Sequence, residues 1–212
     1  MICVSLLESS LDALMGALKD VEFAEIRLEE IGPSAEDVAR IFSMPGRFIA
    51  TMRPGKHDDA QRAETLVSAV EAGAAYVDVE FESPKWLREQ VIETAERTGC
   101  KVIVSFHDYE GTPEKRRLEE IVNACFDAGA DIAKVACTVS SSRESARLLA
   151  LLDTDRPVIA LGMGEAGRVT RVVGPLLGSP FTFASRAPGH ETAKGQIDAH
   201  RLDYLIGELN RG

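Results

Sequence analysis

Long apolar runs are missing from this 212-residue chain. No stretch approaches the roughly 20 residues that a membrane span requires. The N-terminal segment, residues 1–7, lacks the basic flank of a signal peptide and reads as a first strand. A cytoplasmic protein with no membrane partner is therefore expected. Positive charge is also short, with 24 Lys and Arg against 34 Asp and Glu and a net charge of −10. No basic run or basic-aromatic stripe offsets it, which argues against nucleic acid as a partner. The acidity serves solubility, and a local group of arginines can still hold an anionic substrate. Cysteine is limited to Cys3, Cys100, Cys125 and Cys137, none in a C-x-x-C pair. They read as reduced core thiols rather than a disulfide or zinc framework. His57, His107, His190 and His200 show no metal-ligand spacing. A G-x-G-x-x-G fingerprint after the first strand is absent too, which disfavours a doubly wound dinucleotide fold.

What the chain does have is alternation. Apolar β-type runs at 2–6, 22–28, 47–53, 75–81, 101–107, 131–136, 157–161 and 180–185 are each followed by an amphipathic stretch. The helices are placed at 9–19, 34–43, 59–73, 84–98, 112–128, 141–153, 165–177 and 197–210. Eight βα units in this length fit one (β/α)₈ TIM barrel, a single catalytic domain over 1–212 without linker or low-complexity tract. Pro33 with Ser34, and Thr112 with Pro113, carry helix-start chemistry. Gly73, Gly99 and Gly129 fall where a helix ends and the next strand begins.

Parallel barrel strands are buried on both faces, so polar residues inside them need a reason. Side chains alternate with period two. Glu25 and Arg27 share a face, as do Thr51 and Arg53, Asp78 and Glu80, and Ser105 and His107; Lys134 follows Ile132 at the same parity. Most of these groups lie near the C-terminal end of their strand, where barrel active sites sit. The expectation is a central polar pocket. Internal salt bridges such as Glu25–Arg27 or Glu80–Arg53 are the structural alternative, but buried ions contribute poorly to stability.

Lys134 is the most informative of these residues. Seven lysines occur, and only Lys134 lies inside an apolar strand near its C-terminal end. An ammonium there loses hydration, which favours the neutral, nucleophilic amine. Such an amine can form an imine with a ketone. His107, at the end of the preceding strand, is placed as a proton carrier. Together the two residues point to a Schiff-base enzyme.

At this point the chain resembles a known family, the type I 3-dehydroquinate dehydratases, Schiff-base lyases of the shikimate pathway. The resemblance rests on Glu-Ile-Arg (25–27), Thr-Met-Arg (51–53), Val-Asp-Val-Glu (77–80), Ser-Phe-His-Asp (105–108) and Asp-Ile-Ala-Lys (131–134). It continues through Gly-Met-Gly-Glu-Ala-Gly (162–167), Thr-Arg (170–171), Gly-Ser-Pro-Phe-Thr-Phe-Ala (178–184) and Gly-Gln-Ile (195–197). It implies that Lys134 forms the imine and His107 transfers the proton. Arg171 is implied to grip the substrate carboxylate, with Glu25, Arg27 and Arg53 holding the ring hydroxyls. Thr192 and Gln196 match the lid; Met163 and Phe183 match apolar walls, and Glu80 supports. The implied substrate is 3-dehydroquinate, with no metal or organic cofactor and a homodimeric assembly.

Two departures from the family pattern stand out. Where the family commonly has a glutamate four residues after the arginine at Arg53, ungapped counting finds His57. Asp58 or Asp59 reaching inward is expected to replace that carboxylate, with Glu80 held in reserve. In the lid, Thr192 and Lys194 stand where the family usually has serine and proline. The glycines of 162–167 also invite a phosphate-loop interpretation. They keep open a class I aldolase on a barrel, beside a non-catalytic barrel that binds the ligand without turnover.

Overall fold

Local chemistry sets the element boundaries. In the chain Ser5–Val104, β2 (Phe23–Arg27) runs into a 3₁₀ turn, Leu28–Glu30, and α2 (Ala35–Phe42) follows. Ser34 caps α2 with a complete capping box closed by Asp37. β3 (Arg47–Thr51) leads to α3 (Asp59–Glu71), where Asp58 and Gln61 form a second capping box. β4 (Tyr76–Glu80) leads to α4 (Lys85–Thr98), which ends at Gly99 in the left-handed region, φ 79°. Helices α3 and α4 pack together. Leu87, Val91, Thr94 and Ala95 form the buried face of α4, and Ala63, Leu66, Ala69 and Val70 lie buried on α3. Each Val or Leu buried in this way contributes roughly 1.5–3 kcal/mol. β2 pairs in parallel with β3, matching Glu25 to Ile49 and Arg27 to Thr51, and β3 pairs in parallel with β4, matching Thr51 to Asp78.

The computed structural model describes residues 1–211. It divides into two compact units, Ser5–Val104 and Met1–Val4 with the chain from Ser105 onward. The divisions fall inside β1 (Ile2–Leu6) and β5 (Lys101–Asp108). Helix α1 (Leu11–Ala17), capped by Ser10, lies in the former unit. The latter holds α5 (Lys115–Asp127), β6 (Ile132–Thr138), α6 (Ser142–Leu149), β7 (Val158–Met163), α7 (Arg168–Val173), β8 (Thr182–Ser185) and α8 (Ala199–Asn210). Strand order is β5-β4-β3-β2-β1 in the former unit, and β7-β6-β5 and β1-β8 in the latter. β6 and β7 pair in parallel from Ala133–Val158 to Thr138–Met163. β6 is buried from Ile132 to Cys137, as its unbroken apolar character requires.

Among the described residues, eight strands alternate with eight α-helices, and the elements fall close to the expected positions. Three differences have physical causes. The helix expected from 112 begins at Lys115, because Pro113 disfavours the helical conformation at Thr112 and the N-cap falls at Glu114. The helix expected over 165–177 is broken into a 3₁₀ turn, the six-residue α7 and a second 3₁₀ turn, Gly174–Leu177. Pro175 in that last turn has no N–H for an α-helical ladder. β3 ends at Thr51, so Arg53 stands beyond the strand rather than in it. The four cysteines are all buried. Among the described residues, no helix is long and apolar enough to cross a membrane.

Candidate active site

Two polar clusters form, one in each unit. In Ser5–Val104 the inward parity gathers carboxylates on one guanidinium. Glu25, Thr51 and Asp78 are buried. Ser5 and Thr51 donate their hydroxyls to the two oxygens of Glu25, at 2.9 and 3.3 Å. Arg53 reaches Glu80 at 2.8 Å, with Asp78 at 3.6 Å and Glu25 at 3.8 Å. Burial alone would lower the Arg53 pKa, but Asp78, Glu25 and Glu80 together outweigh it and raise it, holding the guanidinium charged.

Arg62, only 2% exposed, braces this group from α3. Its Nε donates to the Met52 carbonyl at 3.1 Å, its Nη1 to Asp59 at 2.6 Å and its Nη2 to Ser83 at 3.0 Å. The Glu80 carboxylate lies 4.0 Å from Nη2. Every nitrogen of the fork is engaged, the condition under which a buried guanidinium is tolerated.

The Glu25–Arg27 pair considered from sequence is replaced by Arg27 with Glu29, at 2.5 Å from Nη2 and 2.6 Å from Nε. The second Glu29 oxygen accepts the Arg53 backbone N–H at 3.3 Å. His57 Nε2 lies 3.1 Å from the Glu29 carbonyl oxygen and donates to it. The expectation that Asp58 or Asp59 reaches inward needs correcting. Asp58 is exposed and spends its carboxylate on the α3 cap, while Asp59 is committed to Arg62.

In the unit from Ser105 onward, Lys134 is 4% exposed, and the six other lysines are all exposed. Its Nζ sits 4.2 Å from the centroid of the Phe183 ring. The Phe183 carbonyl accepts from Arg171 Nη1 at 3.3 Å. Phe183 thus links Lys134 through its ring and the buried Arg171 through its backbone. Cys137, on the same strand as Lys134, is held up at about 12 by burial and by Asp108, so it stays a thiol rather than a competing nucleophile.

His107 is half-buried and stacks against Tyr109 with ring centroids 6.2 Å apart. The loop that follows is laced in place. Asp108 accepts the N–H groups of Glu110 and Gly111, at 2.9 and 3.0 Å. Thr138 donates to the Tyr109 carbonyl at 2.9 Å.

Thr192 and Gln196, which the resemblance matches to a lid, lie in the chain between β8 and α8. Gln196 is buried, and its Oε1 accepts from the Thr192 N–H at 2.7 Å and the Thr192 hydroxyl at 3.3 Å. The Lys194 carbonyl accepts the Gly164 N–H at 3.0 Å. A cavity of about 490 Å³ opens beside Arg168, Thr192 and Gln196. Gly195 has φ +77°, and a Cβ there would meet the Gly164 oxygen at 2.3 Å. Lys194 and Gly195 are therefore seated directly on the Gly164 backbone. Gly195→Ala is expected to unseat the lid and raise KM about tenfold, because the left-handed backbone alone costs about 1–2 kcal/mol in a residue with a Cβ. Steady-state kinetics with a parallel thermal melt would check this; an unchanged KM would mean the seating is dispensable.

The glycines of 162–167 are closed to a phosphate group at three points. The N–H of Gly162 goes to the Thr170 hydroxyl at 2.7 Å, that of Gly164 to Lys194, and that of Gly167 to the Gly164 carbonyl at 3.1 Å. Met163 is buried at the end of β7. Among the described residues, no group of three or more His, Cys, Asp or Glu is placed to hold a metal.

Three residues in these clusters carry no role in the sequence pattern. Ser5 has the right strand parity and was legible in principle. Glu29 and Arg62 lie in a 3₁₀ turn and a helix, where period-two parity gives no signal.

A profile of the type I 3-dehydroquinase family matches residues 2–210. The 3-dehydroquinate dehydratase of Methanocaldococcus jannaschii is 33% identical over 221 aligned positions, covering 97% of both chains. Among solved structures, the 3-dehydroquinate dehydratase of Geobacillus kaustophilus superposes with a TM-score of 0.86 at 24% identity, over 99% of this chain and 91% of that one. The type I enzyme of Clostridium difficile superposes with a TM-score of 0.85 at 22% identity, over 99% and 92%. This likeness, with the eightfold alternation of strand and helix, shows the fold class to be the (β/α)₈ barrel.

Proposed function

This chain belongs to the type I 3-dehydroquinase family, and from that membership we propose that it dehydrates 3-dehydroquinate to 3-dehydroshikimate through an imine on Lys134. The observation that carries the reading is the burial of Lys134, the one buried lysine among seven, against the Phe183 ring. Its amine attacks the ketone, and loss of water gives an iminium. The iminium draws electrons from the neighbouring carbon and acidifies it. His107 takes that proton, leaving an enamine, which expels the ring hydroxyl as His107 returns a proton to it. Hydrolysis of the imine then frees Lys134 and the conjugated product. The iminium is itself the electron sink, so this sequence of steps asks for no metal or organic cofactor.

Arg171 is assigned to the substrate carboxylate, for which its planar fork is suited. Glu25, Arg27 and Arg53 are assigned to the ring hydroxyls, Thr192 and Gln196 to the lid, and Met163 and Phe183 to apolar walls. Glu80 supports Arg53. The reading treats residues 1–212 as one catalytic domain, working as a homodimer in the cytoplasm. An aldolase acting on a phosphorylated sugar fits less well, because the N–H groups of Gly162, Gly164 and Gly167 are already donated within the protein.

The test is the appearance of the conjugated enone absorbance on adding 3-dehydroquinate to the purified chain. Steady growth of that absorbance is expected. Its absence, with ligand binding retained, would favour a non-catalytic barrel. Arg171→Ala is expected to raise KM on the order of 100-fold, in line with loss of a charge-assisted bidentate pair. An analogue lacking the carboxylate should be bound equally by wild type and variant; discrimination against both ligands would show that Arg171 has another partner.

A further inference from the structure

Glu29 lies outside the strands, yet it is one of the most constrained carboxylates in the protein. It sits in the 3₁₀ turn Leu28–Glu30, 5% exposed. One oxygen receives both Nε and Nη2 of Arg27. The other receives the Arg53 backbone N–H. Its carbonyl is held by His57 Nε2, and the His57 ring packs against Gly32, where an added Cβ would meet Cε1 at 3.0 Å.

The consequence for Arg27 is geometric. An arginine side chain is long and rich in rotamers, and it is usually left free to search for its ligand. Here two of its three nitrogens are fixed on Glu29, and the plane of the guanidinium is fixed with them. Nη1 has no hydrogen bond within the protein among the described residues. A half-buried guanidinium with one edge clamped and one donor unspent is preorganised for an oxygen acceptor. The same carboxylate ties the Arg53 backbone to this clamp. His57, at the position where the family commonly has a glutamate, holds it from behind.

We propose that Glu29 is a positioning residue: anchored by His57, it orients Arg27 toward a substrate oxygen and so sets affinity for the hydroxylated ring rather than the rate of the imine chemistry. The inference rests on the assignment of Arg27 to the substrate made above.

The experiment is a double-mutant cycle of Glu29→Gln and Arg27→Ala, with kinetics on 3-dehydroquinate and calorimetric binding of the same ligand. Glu29→Gln is expected to raise KM and Kd about tenfold while kcat changes less than about threefold. In the double variant both constants should match Arg27→Ala alone to within about twofold, because the two residues act as a unit. Borohydride should still trap the ligand on Lys134 at saturating concentration. Should Glu29→Gln fail to fold, Glu29→Asp keeps the charge and withdraws it by one methylene, and the same selective rise in KM is expected. Unchanged KM and Kd, or effects of the two substitutions that multiply, would overturn the inference. So would a fall in melting temperature and kcat with no coupling to Arg27. The two readings fail separately. A chain that binds with the coupling but does not turn over refutes the dehydratase assignment alone, and one that turns over without the coupling refutes the clamp alone.

Discussion

Borohydride added to the chain in the presence of 3-dehydroquinate is expected to leave the reduced ligand covalently on Lys134, and Lys134→Ala is expected to lower turnover by on the order of 10⁴-fold or more. The size of the effect follows from the absence of a substitute. Lys56 is exposed and paired with Glu30, and Lys194 is exposed on the lid. Neither is buried as Lys134 is, and the nearby Cys137 is held as a thiol. The fold is expected to survive the substitution, because β6 is held by the buried apolar neighbours of Lys134 from Ile132 to Cys137. Peptide mapping by mass spectrometry locates the label, and a thermal melt checks the fold. A label on Lys56 or Lys194 would overturn the assignment.

His107→Ala is expected to separate binding from proton transfer. The imine should still form and still be trapped on Lys134, while turnover falls by about 10²–10⁴-fold, the usual contribution of a positioned acid–base group. The trapped fraction at steady state should rise, because the imine accumulates before the blocked step. The loop after His107 makes a clean reading possible. Asp108, Thr138 and Thr112 hold that loop through bonds that do not involve the imidazole. The alanine variant therefore removes the proton carrier without releasing the segment that carries it. Near-normal turnover would transfer the role to another residue.

The departure at His57 shows how far local reasoning reaches. Counting along the chain identified the position as unusual, and two neighbouring aspartates looked able to compensate. Yet an aspartate directly before a helix is strongly favoured as its cap, and Asp58 takes that role for α3. Asp59 is taken by Arg62, three residues along the same helix. Helix-start chemistry was legible in the sequence at Ser34 and equally present at Asp58, where it outweighed the compensating role.

Local sequence was enough for the eight strands and helices, the burial of Lys134, and the inward polar parity of Glu25, Thr51 and Asp78. These are properties of a residue and its immediate neighbours. Apolar runs select strands, period-two alternation selects a face, and a lysine inside such a run has nowhere else to go. Only the tertiary structure decided which charges meet. Arg27 turned to Glu29 rather than Glu25, Arg62 reached Met52 and Ser83 just beyond β3 and β4, and Phe183 came to join Lys134 to Arg171. Glu29 is close to Arg27 in the chain but lies in a 3₁₀ turn, outside strand parity, and the other partners lie ten or more residues away. A charged side chain chooses among several opposite charges by the distances the fold leaves open, and no local pattern encodes them.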